Sequence, residues 1–232
     1  MTKWPDHFDL NDDPETGAVI RRFIEAQLDE LKEFDQKREQ WVKANMPPGY
    51  HMTYRFYDHT LRVSEDVKKT AQYLGLPDHA CENLYWAMLP HDIGKKLLPV
   101  NIWDTIEKPE DEIKTLRRSH TELGTKIVKQ KLDIDHPFID LMLDIMLNHH
   151  EQMDGCGYRG LKAAELSLPV RLAAIVEGFD GWKTRRPHFG KRDITVPGVL
   201  KRMREEKGAN FFDMKIFEAF AEMKMEEYKK AI

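Results

Sequence analysis

The chain has 232 residues, 41% of them hydrophobic and 33% charged, with a formal net charge of -4 and a mean hydropathy of -0.62. That length suits one large domain or one domain with an appendage, and the charge balance gives no bulk reason to bind nucleic acid or an anionic membrane. Two cysteines, Cys81 and Cys156, make no disulfide framework, the N-terminal MTKWPDHFDL lacks a signal-like apolar run, and charges interrupt every apolar stretch. A cytoplasmic location is the expectation.

Residues 1 to 16 hold Pro5 and Pro14 and read as a loose lead-in. From Ala18 to Lys43, Val19, Phe23, Ala26, Leu28, Leu31, Phe34 and Trp41 recur near helical spacing, until Pro47-Pro48-Gly49 breaks the run. Further helices are predicted at about 54–75, 79–89, 109–131, 135–150, 168–186, 196–207 and 211–230. No segment alternates with period two, and no hairpin signal or internal repeat is present. The fold class is therefore all-α. The division expected is an N-terminal lead-in and helix over 1–50 and a helical domain over 51–232.

Five of the ten histidines fall into a pattern with acids: His59, the pair His91-Asp92, His120, and the neighbours His149 and His150. They come from different predicted helices or helix ends, and ligands converging from several helices are how helical proteins build metal sites. Nitrogen and carboxylate donors without thiolate suit Fe, Mn or Zn better than Ca or Mg. Adjacent side chains leave a helix roughly 100° apart, so His149 and His150 cannot easily share one target on a regular helix. At a helix end released by Gly155 and Gly157, both can turn inward. A carboxylate such as Asp92 can bridge two ions, which gives a binuclear centre work for so many histidines.

HTLRV at 59–63, HDIGK at 91–95, SHTELG at 119–124 and HHEQMDGCGY at 149–158 together resemble the HD-GYP branch of the HD-domain metal-dependent phosphohydrolases. The resemblance runs over about residues 54 to 190 and includes RRP at 185–187. It implies an all-helical fold, two or three metal ions (usually iron or manganese), and hydrolysis of cyclic di-GMP. Carried over by position, it makes His59, His91, Asp92, His120, His149 and His150 metal ligands, with Asp92 as bridge and Lys95 facing the phosphate. Asp92 and Lys95 are thus the candidate catalytic pair. Glu177 in VEGFDG takes the place of the family's last aspartate ligand, with Asp180 as the alternative.

Three departures from the family pattern stand out. The GYP triplet reads Gly157-Tyr158-Arg159, Pro90 directly precedes His91, and Arg55 stands where trinuclear members carry a glutamate. A guanidinium has no acceptor and stays charged, so Arg55 implies two metals rather than three and a grip on a substrate phosphate. Arg159, Arg185 and Arg186 are further candidate phosphate contacts. The expected cofactors are two divalent transition-metal ions, Fe or Mn foremost, with Zn, Ni or Co as alternatives.

The expected reaction is hydrolysis of cyclic di-GMP or a related cyclic dinucleotide by hydroxide held between two ions about 3.5–4 Å apart. The alternatives are a phosphohydrolase for another nucleotide or phosphoester, and a non-catalytic cyclic-dinucleotide receptor. A homodimer or a signalling partner engaged through the N-terminal helix completes the expectations, with neither nucleic acid nor membrane as a partner.

Overall fold

A computed structural model describes residues 3–52, 54–185 and 190–231. Helix α1 (Pro14–Asn45) begins where the Asp13 carboxylate accepts from the Thr16 amide at 3.2 Å, with Pro14 in the first turn. Its buried face, Ile20, Ile24, Leu28, Leu31, Phe34 and Val42, follows the three- and four-residue spacing of a core-facing helix. Helices α2 (Phe56–Tyr73) and α3 (Asp78–Met88) follow as an antiparallel pair joined through Gly75, whose φ of 78° only glycine adopts cheaply.

Two 3-10 turns, Ile93–Leu97 and Val100–Ile102, lead to α4 (Asp111–Arg118) and α5 (His120–Lys131). The sequence predicts one helix here. The chain instead breaks at Ser119, whose hydroxyl donates to the Leu116 carbonyl at 2.7 Å and closes α4. Then come α6 (Pro137–Asn148), α7 (Leu168–Lys183), α8 (Val196–Arg202), a π-helical turn (Met203–Lys207), α9 (Gly208–Phe211) and α10 (Met214–Ala231). No strand occurs among the described residues beyond an isolated bridge between Asp154 and Lys162.

One core joins α2, α3, α5, α6, α7 and α10 through Val63, Leu84, Val128, Met142, Val176 and Phe217, all at or near zero exposure. The N-terminal helix shares that core through Ile20, Ile24 and Leu28. The lead-in is tied down as well. The Leu10 amide donates to Asn83 Oδ1 at 3.2 Å, and Asn83 Nδ2 donates to the Phe8 carbonyl at 2.8 Å.

A second, smaller apolar group (Leu31, Phe34, Phe56, with Tyr54, Val100 and Trp103) fastens α1 to the start of α2. Inside it lies Arg38, 2% exposed. Its guanidinium donates to Asp35 at 2.6 Å, to Asp104 at 3.0 and 3.1 Å and to the Tyr54 carbonyl at 3.2 Å, and lies 3.9 Å from the Phe56 ring centroid. Asp35 in turn accepts from the Tyr57 amide at 2.9 Å, satisfying a donor at the start of α2.

Removing this cation leaves two buried carboxylates uncompensated. Arg38→Met should therefore cost about 3–5 kcal/mol of unfolding free energy. Urea denaturation checks it, and a loss under about 1 kcal/mol, the scale of an exposed ion pair, would show the clamp to be dispensable.

Candidate metal centre

Pro90 has no amide hydrogen to continue α3, so the chain leaves the helix in a tight turn. The His91 amide donates to the Met88 carbonyl at 3.1 Å and the Ile93 amide to the Pro90 carbonyl at 3.2 Å. This turn lies directly against the start of α5. A Cβ on Gly94 would collide with the His120 carbonyl and lie 2.5 Å from the Gly124 amide. The glycines of HDIGK and SHTELG thus bring two backbones into contact, and Asp92 comes to face His120 as a result.

Six histidine and acid positions named from the motifs meet with Glu177 in one buried cluster. Asp92 Oδ2 lies 3.6 Å from His59 Nε2 and 3.4 Å from His91 Nε2, and Glu177 Oε2 lies 2.8 and 3.6 Å from the same two nitrogens. Asp92 Oδ1 faces the other way, 3.2 Å from His120 Nε2 and 3.9 Å from His149 Nε2. His120, His149 and His150 form a group close enough to share one ion, and His59, His91 and Glu177 form another. The two oxygens of one carboxylate stand between the groups.

Each of the four most buried rings is held from behind. The Nδ1 atoms of His91, His120 and His149 lie 2.8, 2.7 and 3.0 Å from the carbonyls of Met88, Arg117 and Ile145. His59 Nδ1 lies 2.7 Å from Asp180 Oδ2, and Arg62 grips Asp180 at 2.8 and 3.0 Å. A carbonyl or carboxylate partner keeps the proton on Nδ1 and directs the Nε2 lone pair inward, the arrangement of a metal-ligating histidine. Asp180 is therefore behind His59, and Glu177 is the acid inside the cluster.

The cluster carries more lone pairs than it has protons for. His59 Nε2 and His91 Nε2 are 3.3 Å apart, and His120 Nε2 and His149 Nε2 3.4 Å apart. Two nitrogens each about 2.1 Å from one tetrahedral ion stand about 3.4 Å apart. Asp92 Oδ1 is buried without a hydrogen-bond donor, and so is Glu177 Oε2 despite its 2.8 Å approach to His59. Buried acceptors of this kind call for a cation.

Protonation supplies one on one side only. Burial works against a charged His91, but the carboxylates of Asp92 and Glu177 outweigh it and raise the pKa to about 9. Burial and the neighbouring imidazoles hold His149 well below its ordinary value, and burial foremost pushes His150 down to about 3. The residues present fit divalent metal.

A cavity of about 360 Å³ opens onto the cluster beside His120, His150 and Glu177, walled by Lys95, Trp103, Arg117, Arg118 and Tyr158. Lys95 is 7% exposed, bonds Asp92 through its ammonium, and lies 4.6 Å from the Phe56 ring centroid. Tyr158 stacks on His150, centroids 4.4 Å apart at 32°, and Arg118 covers Tyr158 at 5.0 Å. Its loop is fixed by Glu151, which accepts from the Arg159 and Leu161 amides at 2.6 and 2.8 Å.

The remaining arginines named from sequence stand elsewhere. Because α2 starts at Phe56, Arg55 is its capping residue, and its side chain turns to Glu39 of α1 at 2.9 Å rather than lining the cavity. Arg159 donates to Asn148 at 2.7 Å and is likewise absent from the cavity wall. Arg185 is exposed, and Arg186 lies outside the described residues. Sequence reasoning missed Arg62, Trp103, Arg117 and Arg118. The last two stand immediately before SHTELG, which was the available signal.

Two outcomes follow. Glu177→Gln should weaken manganese binding by more than Asp180→Asn, for which an orienting role behind a ligand is worth about 10–100-fold. Calorimetry giving the reverse ranking would make Asp180 the ligand. Since metal must displace protons held by His91 and by His59, whose pKa, despite burial, the neighbouring carboxylates also raise, affinity should climb by at least about tenfold per pH unit up to about pH 9 and level off above it. A flat profile below that pH would show that no such proton is displaced.

Residues 40–216 match the family model of the HD domain. The chain is 32% identical to a cyclic di-GMP phosphodiesterase of Pseudomonas aeruginosa over 71% of its own length and 38% of that protein's. It is 29% identical to a 3'3'-cGAMP-specific phosphodiesterase of Vibrio cholerae over 76% and 39%. The chain thus spans well under half the length of these curated relatives. Among solved structures, an HDG"Y"P protein from Bdellovibrio bacteriovorus shares the fold with a TM-score of 0.60 at 18% identity, covering 91% of this chain and 72% of that one. The HD domain of the Listeria monocytogenes phosphodiesterase PgpH, solved with cyclic-di-AMP, gives 0.51 at 16%, covering 76% and 92%. With the family model taking in most of its length and the histidine-aspartate pair at the centre of its cluster, this chain belongs to the HD domain family.

Proposed function

We propose that the chain is a metal-dependent phosphodiesterase that hydrolyses cyclic di-GMP or a related cyclic dinucleotide. The observation that carries the reading is Asp92, whose two oxygens face two separate histidine groups inside a cluster that borders a cavity with cationic walls through His120, His150 and Glu177. His59, His91 and Glu177 would hold one divalent ion, and His120, His149 and His150 the other, with Asp92 shared. Iron or manganese is the proposed pair, with zinc, nickel or cobalt as alternatives. When bound, the ions supply Lewis acidity to the phosphate and acidify the attacking water.

The chain's own residues do the rest. Lys95 stands between Asp92 and the cavity, so its ammonium offsets charge on an entering phosphate as well as on the carboxylate. Arg117 holds the Ile102 carbonyl at 2.8 Å and the Trp103 carbonyl at 3.2 Å, which fixes the aromatic wall. Arg118, stacked on Tyr158 and without an ion pair among the described residues, is the cation offered to a second phosphate or a base. The curated relatives named as cyclic dinucleotide phosphodiesterases support the substrate class. A cytoplasmic setting suits both the substrate and two free thiols.

Manganese- or iron-loaded protein should linearise cyclic di-GMP faster than it hydrolyses a panel of mononucleotide esters, as followed by chromatography. Asp92→Asn should lower that rate by about 100-fold or more, the worth of several kcal/mol of metal-centred stabilisation. Full activity in the variant, or no turnover of any cyclic dinucleotide by the loaded wild type, would refute the reading.

A further inference from the structure

A smaller recess of about 120 Å³ lies on another side of His150 and Glu177, which also border the main cavity. The rest of its wall includes residues that the metal cluster does not use: Gln152, Trp182, Lys207, Phe211 and Phe212. It is built deliberately by the backbone. The π-helical turn Met203–Lys207 ends at Gly208, where φ is 51°. The Met153 and Asp154 amides then donate to the Phe211 and Asn210 carbonyls at 3.3 and 2.9 Å, binding the loop that carries Gln152 to the segment that carries Phe211. On the α7 side, Gly178 lets the helix backbone itself form part of the wall between Glu177 and Trp182.

Three features mark it as a site for a planar, polar-edged ring. Two aromatic side chains, Trp182 and Phe211, line it while only partly buried. Gln152 Oε1 is buried without a hydrogen-bond partner. Lys207 makes no ion pair among the described residues and stands 4.0 Å from the Phe211 ring centroid.

Resting on the phosphodiesterase reading, we infer that this recess holds one guanine base of the substrate, while the phosphate lies at the cluster and the rest of the dinucleotide occupies the main cavity. Guanine presents two acceptors, O6 and N7, to a cation, whereas adenine puts an N–H donor beside N7. Lys207 therefore favours guanine. Guanine's remaining N–H donors supply what Gln152 Oε1 lacks, and the aromatic walls stack on its face.

The test is calorimetric binding of cyclic di-GMP and cyclic di-AMP to the wild type, Lys207→Met and Phe211→Ala, with melting temperatures recorded to confirm that each variant folds. Phe211→Ala should weaken both ligands by about tenfold. Lys207→Met should weaken cyclic di-GMP by about tenfold and cyclic di-AMP by less than about twofold, narrowing the preference for guanine. Unchanged affinities in both folded variants would overturn the recess while leaving the phosphodiesterase reading intact. A wild type that binds neither ligand would instead remove the reading on which the recess rests.

Discussion

Everything at the centre of this molecule is arranged around one carboxylate with no access to water. Asp92 is fully buried, and an isolated ionised carboxyl in such a place would neutralise rather than persist. Despite that burial, its pKa lies well below the ordinary carboxylate range, because Lys95 and the surrounding imidazoles favour the charged form. The charge then imposes order on its neighbours. His59 and His91 gather at one oxygen, His120 and His149 at the other, and Lys95 is drawn into an aromatic box to meet it.

The N-terminal helix belongs to this arrangement more closely than its place in the chain suggests. Arg38 joins α1 to Asp104 and to the Tyr54 carbonyl, so the same clamp that fastens the helix also sets the aromatic wall around Lys95. A buried ion-pair group of this kind is a poor source of net stability compared with apolar packing. What it provides is a fixed relation between α1, the start of α2 and the Trp103 loop, and that relation shapes the cavity.

The all-helical class and the meeting of the histidines were legible because each depends on local signals: helical spacing, helix breakers, and motif residues whose types suit one chemistry. The break at Ser119 was not, since the run through SHTELG keeps a helical pattern and the interruption arises from a side-chain bond to Leu116. Arg55 and Arg159 read as substrate contacts because they lie near ligands in sequence. Their partners, Glu39 and Asn148, come from other elements, and only the folded chain brings them within reach. Arg38 gave no signal beyond a charged position on a long helix, as its role needs Asp104 and Tyr54, far along the chain.

The hydrogen bonds behind the four buried rings have a consequence for the entropy of metal capture. Immobilising a mobile side chain on binding costs about 0.5–1.5 kcal/mol, and His59, His91, His120 and His149 have surrendered that freedom when the chain folds. An arriving ion finds them already aimed. His150 is the exception: its ring has no hydrogen bond among the described residues and is held only by ring contacts with Tyr158, His149 and His120. Whatever rotational freedom remains among the histidines is concentrated there, at a residue that borders both cavities.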